Sequence, residues 1–443
     1  MKNFSLVFLF FSCLKTVCQP GEFFPNFTPY SEAPIIKFGD QLRGAPWNDP
    51  TVLKEGQEYI MYTSGVEGGL NHPDDTIGIY RWTSADGYDW ALNPSTPVLK
   101  AKAGTYYSSG VETPSVVFFK DEYHMYNTVY TQNTPFDFKI SHSVSSDGVA
   151  WTIDPSFILE PTPEKEWMST ITAEPGVVVK EDTLLLFFAA GEASGFLNIG
   201  LARSIDGRSF IDTALAVSLP TDVYPLVENY AGLSTPSPAL VGDTVYLFTD
   251  VAQVVFETNF MQVALHQFKS VDLSHWFYDE APIHRREDFA WTNGNLNAEI
   301  RSITPLVDGD RLRIWYAGHK ISNIDTETND TTNFVFFNGD ELFVNEGLWG
   351  IGTSEYKFPD PQKPLSAETG IIKLDFYQNQ GTIKTEFQDQ SHLAVYTLDG
   401  RILLQKDFVR AVDFAVQYEG VIVLKVETTE GLFTKKLVVT RSY

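Results

Sequence analysis

The chain has 443 residues, 43% of them hydrophobic and 14% aromatic, with 32 basic against 57 acidic side chains and two cysteines. At roughly 100–200 residues per domain this length allows two or three domains with a large core. The 62 aromatics and a charged fraction of 20% exclude a disordered chain or a coiled coil. A formal net charge of −25 repels phosphate backbones and anionic lipid surfaces, so neither a nucleic acid nor a membrane surface fits as partner, and a neutral ligand does.

Residues 1–18 read as a secretory signal peptide: Met1-Lys2, an apolar run from Phe4 to Phe11, and Thr16-Val17-Cys18 before Gln19. The run is too short to span a bilayer. A lipid anchor on Cys18 is the alternative, with Lys15 a poor neighbour for that motif. Cleavage after Cys18 removes Cys13 and Cys18 together, so the mature chain holds no disulfide, no thiolate nucleophile and no cysteine metal site. Lys2 and Lys15 leave too, giving 30 basic against 57 acidic side chains, a net charge of −27.

A strand-forming unit then recurs five times, marked by a proline: Asp49-Pro50, Thr113-Pro114, Glu174-Pro175, Ser237-Pro238 and Thr304-Pro305, spaced 64, 61, 63 and 67 residues apart. Each proline heads a first strand, where no ladder donor is needed. An aromatic-rich second strand follows, such as Tyr59-Ile-Met-Tyr62 or Leu184-Leu-Leu-Phe-Phe188. A third strand runs into Ser84-Ala-Asp-Gly, Ser145-Ser-Asp-Gly, Ser204-Ile-Asp-Gly and Ser270-Val-Asp-Leu. The Asp-Gly turns are structural: glycine supplies positive φ and the aspartate binds nearby backbone. Repeats of this length without helices predict an all-β fold, a five-bladed β-propeller over residues 30–358.

In a propeller the first strand of each blade lines the axis, so side chains near its head converge. Those positions carry Asp49, Glu112 beside Thr113, Glu174, Thr235 and Ser237, and Thr304 with Arg301 and Glu299 upstream. Several carboxylates in one funnel raise at least one pKa by repulsion and desolvation. A glycosidase needs such a set: one acid for the leaving oxygen and one carboxylate for the water or the sugar. Asn48 and Trp47 offer polar and stacking contacts beside Asp49, and Trp167 and Trp291 are further stacking candidates at the rim. Arg301 either pairs with Glu112 across the channel or holds a uronate or sulfate. No histidine spacing or EF-hand loop marks a metal site.

With Trp47-Asn48-Asp49-Pro50 and Ala173-Glu174-Pro175 in a five-repeat body of about 330 residues, the chain resembles the five-bladed propeller glycoside hydrolases, families 43 and 32 among them. The resemblance implies Asp49 as base or nucleophile, Glu174 as acid and Glu112 as third carboxylate, with pentose units, xylose or arabinose, and inversion favoured. The family's usual spacing skips a blade between its two aspartates. Under that register Glu174 becomes the tuning residue and Glu299 or Glu228 the acid. Some relatives carry an axial calcium ion or chloride, and this sequence decides neither. Two alternatives stand beside hydrolysis: a mannoside-type phosphorylase, for which Arg285-Arg286 is the only local cationic cluster, and a non-catalytic sugar-binding propeller. The polar stretch Thr326 to Thr332 reads as an exposed insertion.

From residue 369 to 443 alternating β-type segments follow: Ile371 to Phe376, His392 to Tyr396, Ile402 to Leu404, Gly420 to Val426 and Thr434 to Val439, with Asp399-Gly400 a hairpin turn. This predicts a small C-terminal β-sandwich. Its pattern, Leu393 to Gly400-Arg-Ile, Gly420 to Val426 and Lys435-Lys436-Leu-Val-Val, resembles the sorting domain of the type IX secretion system of Bacteroidetes. That resemblance implies the secretion machinery as partner and a secreted or cell-surface location in such a Gram-negative bacterium. An accessory sandwich such as a carbohydrate-binding module is the alternative. The sequence reading is thus an exported, not membrane-spanning, hydrolase of plant or algal polysaccharide.

Overall fold

The computed structural model describes residues 23–358, apart from 43–44, 67–75, 132–136, 220–228, 257–258, 280, 294–297, 321–335, 339–340 and 344–348, together with 382–397, 402–415, 420–428 and 431–439. The expected signal peptide, Glu228, the expected insertion at Thr326 to Thr332, the Ile371 to Phe376 segment and the expected Asp399-Gly400 turn lie outside the described residues. The chain divides into two compact units, Met1–Phe358 and Pro359–Tyr443.

In the first unit each repeat becomes an antiparallel sheet. The first sheet holds Trp47–Glu55, Glu58–Gly65 and Gly78–Ser84, and the second Gly110–Phe119, Glu122–Tyr130 and Lys139–Ser145. The third holds Ile171–Lys180, Thr183–Gly191 and Leu197–Ser204, edged by Ile211–Val217, and the fourth Tyr230–Val241, Thr244–Phe256 and Asn259–Ser270. One parallel bridge, Leu197 to Gly232, links these two. The fifth holds Ala298–Asp308, Arg311–Lys320 and Gly350–Lys357, and its outermost strand is Thr28–Pro29 from the far end of the unit. The first strands pack side by side in chain order, and Ala298–Asp308 returns against Trp47–Glu55. Lys54 Nζ reaches Asp308 Oδ1 at 2.7 Å across that join. This is the all-β architecture of a propeller.

Burial follows position in the sheet. The second strands are enclosed on both faces, and Thr183–Gly191 is buried from its second residue onward. That explains its unbroken apolar run, where an alternating strand would have one wet face. Cores form between neighbouring sheets: Leu185, Phe187, Leu247 and Phe268 join the third and fourth, and Trp47, Met61, Trp82 and Trp315 join the fifth and first. The Asp-Gly turns lock this packing. Each turn glycine offers its carbonyl to an aromatic of the preceding sheet: Gly148 O accepts Tyr62 Oη at 2.6 Å, Gly207 O accepts Tyr126 Oη at 2.6 Å, and Gly87 O accepts Trp315 Nε1 at 3.1 Å. Asp86, Asp147 and Asp206 accept the amides two and three residues on, which holds all three carboxyls below their usual range.

In the second unit four strands form one antiparallel sheet in the order Ile402–Ala415, Thr382–Thr397, Gly420–Thr428, Gly431–Val439.

Candidate active site

The repeat prolines do not head their strands. In each of the five first strands a β-bulge sets two residues against one of the neighbour: Asp49-Pro50, Thr113-Pro114, Glu174-Pro175, Thr235-Pro236 and Ser302-Ile303. The missing N–H of proline is harmless in a bulge. The fourth and fifth repeats are therefore in a different register from the one the sequence suggested, two residues earlier than Ser237-Pro238 and Thr304-Pro305. The sequence Ser234-Thr-Pro-Ser-Pro238 holds two prolines, and spacing alone selected the wrong one.

The first residue of every bulge is left-handed: φ is 52° at Asp49, 51° at Thr113, 52° at Glu174, 40° at Thr235 and 54° at Ser302. Each costs roughly 1–2 kcal/mol for a residue with a Cβ, so neighbours must hold it. Thr113 N donates to Ser64 Oγ at 2.8 Å, Glu174 N to Thr128 Oγ1 at 2.8 Å, Thr235 N to Glu174 Oε2 at 3.0 Å and Ser302 N to Asp250 Oδ2 at 3.0 Å. Close backbone approach is part of the arrangement: a Cβ on Gly176 would lie 1.8 Å from Pro236 O. The bulge residues surround an axial hollow of about 310 Å³.

Beside it lies a second hollow of about 500 Å³, lined by Asn48, Asp49, Ser64, Glu112 and Trp349 among others. Asp49 and Glu112 face it from neighbouring first strands. Ser302 Oγ donates to Asp49 Oδ1 at 2.7 Å and itself accepts Arg301 Nε at 3.2 Å. Because Arg301 can only donate, the serine proton must point to Asp49, whose Oδ1 is thereby an acceptor. Arg301 Nη2 reaches Glu174 Oε1 at 2.9 Å, so the guanidinium pairs with Glu174 and not, as one sequence reading had it, with Glu112. Among the described residues the Glu112 carboxyl has no hydrogen-bond partner.

The electrostatics separate these carboxyls. Burial, then repulsion from Asp49, pushes Glu112 up to about 8 against the pull of Arg301. Burial raises Glu174 to about 7, with Arg301 opposing and Asp250 and Asp49 adding to it. Glu299, buried, goes to about 7 for the same first reason. Burial opposes the charge on Arg301, but Glu174, Asp49, Glu299 and Asp250 outweigh it and hold the guanidinium above its ordinary range. Glu299 accepts Gln262 N at 3.4 Å and lies 3.6 Å from His319 Nδ1. Burial and Arg301 keep that imidazole neutral, its pKa near 3.

The three expected tryptophan platforms are elsewhere. Trp47 is fully buried, edge-on to Trp82 at 4.7 Å with its Nε1 on Asp40 O, so it has no face for a ligand. Trp167 packs towards Phe188, and Trp291 stacks on Tyr316. The tryptophan at the hollow is Trp349, half-buried, with His319 against one side at 4.0 Å and Arg301 6.0 Å from its ring. Sequence reading missed it because no repeat position marks it. Asn48 does line the hollow, and its buried Oδ1 has no partner among the described residues. Sequence reading also missed Asp250, fully buried opposite Ser234 on the second strand of the fourth sheet. The tandem Thr235-Pro236, in register with Glu174-Pro175, was the available signal.

Arg285 is exposed, while Arg286 is buried and donates to Glu287 Oε1 and Ala298 O. Among the described residues no three histidine or acidic side chains are arranged to hold a metal ion. Among those residues no helix is long and apolar enough to cross a membrane.

No protein-family model matches this sequence, and no curated protein sequence does. Solved structures do match. A glycoside hydrolase aligns at TM-score 0.52 over 76% of this chain and 96% of its own, at 14% identity. The β-1,2-mannobiose phosphorylase from Listeria innocua, in complex with β-1,2-mannobiose, aligns at 0.51 over 74% and 96%, at 13% identity. A structure from work on family 130 mannoside phosphorylases, which contain glycoside hydrolases targeting β-1,2 mannosidic linkages in Candida mannan, aligns at 0.53 over 78% and 97%, at 12% identity. At these identities the likeness establishes the fold.

Proposed function

We propose that this protein is a secreted, five-bladed propeller glycoside hydrolase, one blade per repeat, that cleaves plant or algal polysaccharide or its oligosaccharides at xylose or arabinose units. One observation carries the reading. Asp49 and Glu112 flank the same hollow in different settings, Asp49 accepting the Ser302 hydroxyl and the Glu112 carboxyl raised to about 8 with no hydrogen bond among the described residues. Glycoside cleavage needs that pair: a protonated carboxyl for the leaving oxygen and an ionised one for the water. Glu112 is the acid in this scheme and Asp49 the base, with inversion at the anomeric carbon. Glu174 is a positioning and tuning residue in this scheme, because both its oxygens accept from fixed donors, Oε1 from Arg301 and Oε2 from Thr235 N. This exchanges the roles that family resemblance suggested for the two glutamates.

Charge argues against phosphorolysis. Asp49, Glu112, Glu174, Asp250 and Glu299 surround a single Arg301 already paired, and Arg286 is occupied. A phosphate at this hollow would meet those carboxyls and find the Arg301 guanidinium already engaged. A neutral sugar stacked on Trp349 fits better. The fold shared with a glycoside hydrolase and with a mannobiose phosphorylase supports a glycoside ligand. The leader at residues 1–18 supports export, and the strand pattern of the C-terminal unit supports a role as the type IX sorting signal.

The test is a screen of the purified mature protein on xylose- and arabinose-containing polysaccharides, with and without phosphate, product anomers read by NMR. Phosphate-independent release of an inverted sugar is expected, with Asp49→Ala losing at least about 10²-fold. Sugar binding without any product, or a strict phosphate requirement, overturns the reading.

A further inference from the structure

The five repeats provide an internal control for one residue. The position opposite the residue preceding each bulge is Ser64 in the first sheet, Thr128 in the second, Ala189 in the third, Asp250 in the fourth and Ala317 in the fifth. In the first two, a hydroxyl there accepts the bulge amide of the next sheet, Thr113 N or Glu174 N. Asp250 does the same for Ser302 N. A hydroxyl suffices for that task, yet the fourth repeat has a fully buried carboxylate, which is costly to bury unless its lone pairs are used.

They are used by two further donors. Asp250 accepts Ser234 Oγ and Thr235 Oγ1 as well as Ser302 N. A hydroxyl oxygen has two acceptor sites and a carboxylate about four, so Ser or Thr could not serve all three. The donors lead to different places. Ser302, fixed through its amide, sends its hydroxyl to Asp49 Oδ1 at 2.7 Å. Thr235, fixed through its hydroxyl, sends its amide to Glu174 Oε2 at 3.0 Å.

We infer that Asp250 is a positioning residue that sets Asp49 and Glu174 at once, through Ser302 on one arm and Thr235 on the other. The inference rests on the glycosidase reading for its catalytic consequence and on geometry alone for the arrangement. A displacement of about 1 Å at a reacting group costs about 10²-fold in rate, and Asp250 lines neither hollow, so its loss should act on turnover and not on binding.

The informative variant is Asp250→Ser, which installs the residue the first sheet uses and keeps a cap for Ser302 N. Asp250→Asn is its partner, since one amide oxygen can accept both Thr235 Oγ1 and Ser302 N. Expected are a loss of about 30–100-fold in kcat for Asp250→Ser with KM within about 3-fold, and recovery to within about 5-fold of wild type in Asp250→Asn. Adding Ser302→Ala to Asp250→Ser should cost little more, because both act through Asp49. Wild-type turnover in Asp250→Ser, or losses that multiply in the double variant, overturns the inference. A crystal structure of Asp250→Ser decides the geometry whatever the substrate proves to be: Asp49 and Glu174 carboxyls displaced by about 1 Å support it, and unmoved carboxyls refute it. Absence of any glycosidase activity in the wild type with displaced carboxyls in the variant would fail the functional reading alone.

Discussion

Glu112→Gln should make the protein more stable while removing its activity. The raised pKa of about 8 against an ordinary 4.5 means that the folded state holds this proton more tightly than the unfolded chain does. Stability from the group is fully present below about 4.5 and is lost as pH rises, at about 1.4 kcal/mol per pH unit, until the folded value near 8 is passed. At pH 7 wild type has lost about 3 kcal/mol of it, and glutamine, which does not ionise, has lost none. The variant should therefore match wild type near pH 4, exceed it by about 3 kcal/mol at pH 7, and gain no more above about pH 8. Urea unfolding at pH 4, 5.5, 7 and 8.5 measures this, provided the first unit's transition is followed. Turnover of an unactivated glycoside should fall about 10²–10⁴-fold, and an aryl glycoside with a good leaving group should be spared much of that loss. In wild type the basic limb of kcat/KM should lie near pH 8, where Glu112 gives up its proton. A stability difference that is flat with pH, or activity above about a tenth of wild type, would refute the assignment.

Two further outcomes follow from the same geometry. Arg301→Lys keeps the charge but cannot place one nitrogen on Ser302 Oγ and another on Glu174 Oε1 as the guanidinium does, so kcat should fall by at least about 10-fold, and activity within 2-fold of wild type would show that the fork is dispensable. Trp349→Ala should raise KM about 10-fold with kcat little changed if the ring is a sugar platform. An unchanged KM, measured on the oligosaccharide that the screen identifies, removes it from the site.

The body of the fold was legible because propeller blades announce themselves locally. Strand length, Asp-Gly turns and aromatic second strands recur, and each is set by residues within one repeat. Asp49, Glu112 and Glu174 were legible for the same reason, as acids beside a repeated proline. The roles of those acids were not. Whether Glu112 or Glu174 keeps a proton depends on where Arg301 points, and the guanidinium lies 127 residues along the chain from the carboxylate it pairs with. The three tryptophans chosen from sequence illustrate the same limit: an indole is equally suited to a core and to a sugar, and only packing distinguishes Trp47, enclosed by Trp82 and Tyr80, from Trp349 at the hollow. Asp250 was invisible for a further reason. Its significance lies in the hydrogen bonds that reach it from Ser234, Thr235 and Ser302 across two sheets. The sequence by itself determined which strands form and how often the unit repeats. Only the closing of the ring, which brings distant strands onto one axis, decided that Glu174 meets Arg301, that Asp49 meets Ser302 and that Asp250 gathers Ser234, Thr235 and Ser302.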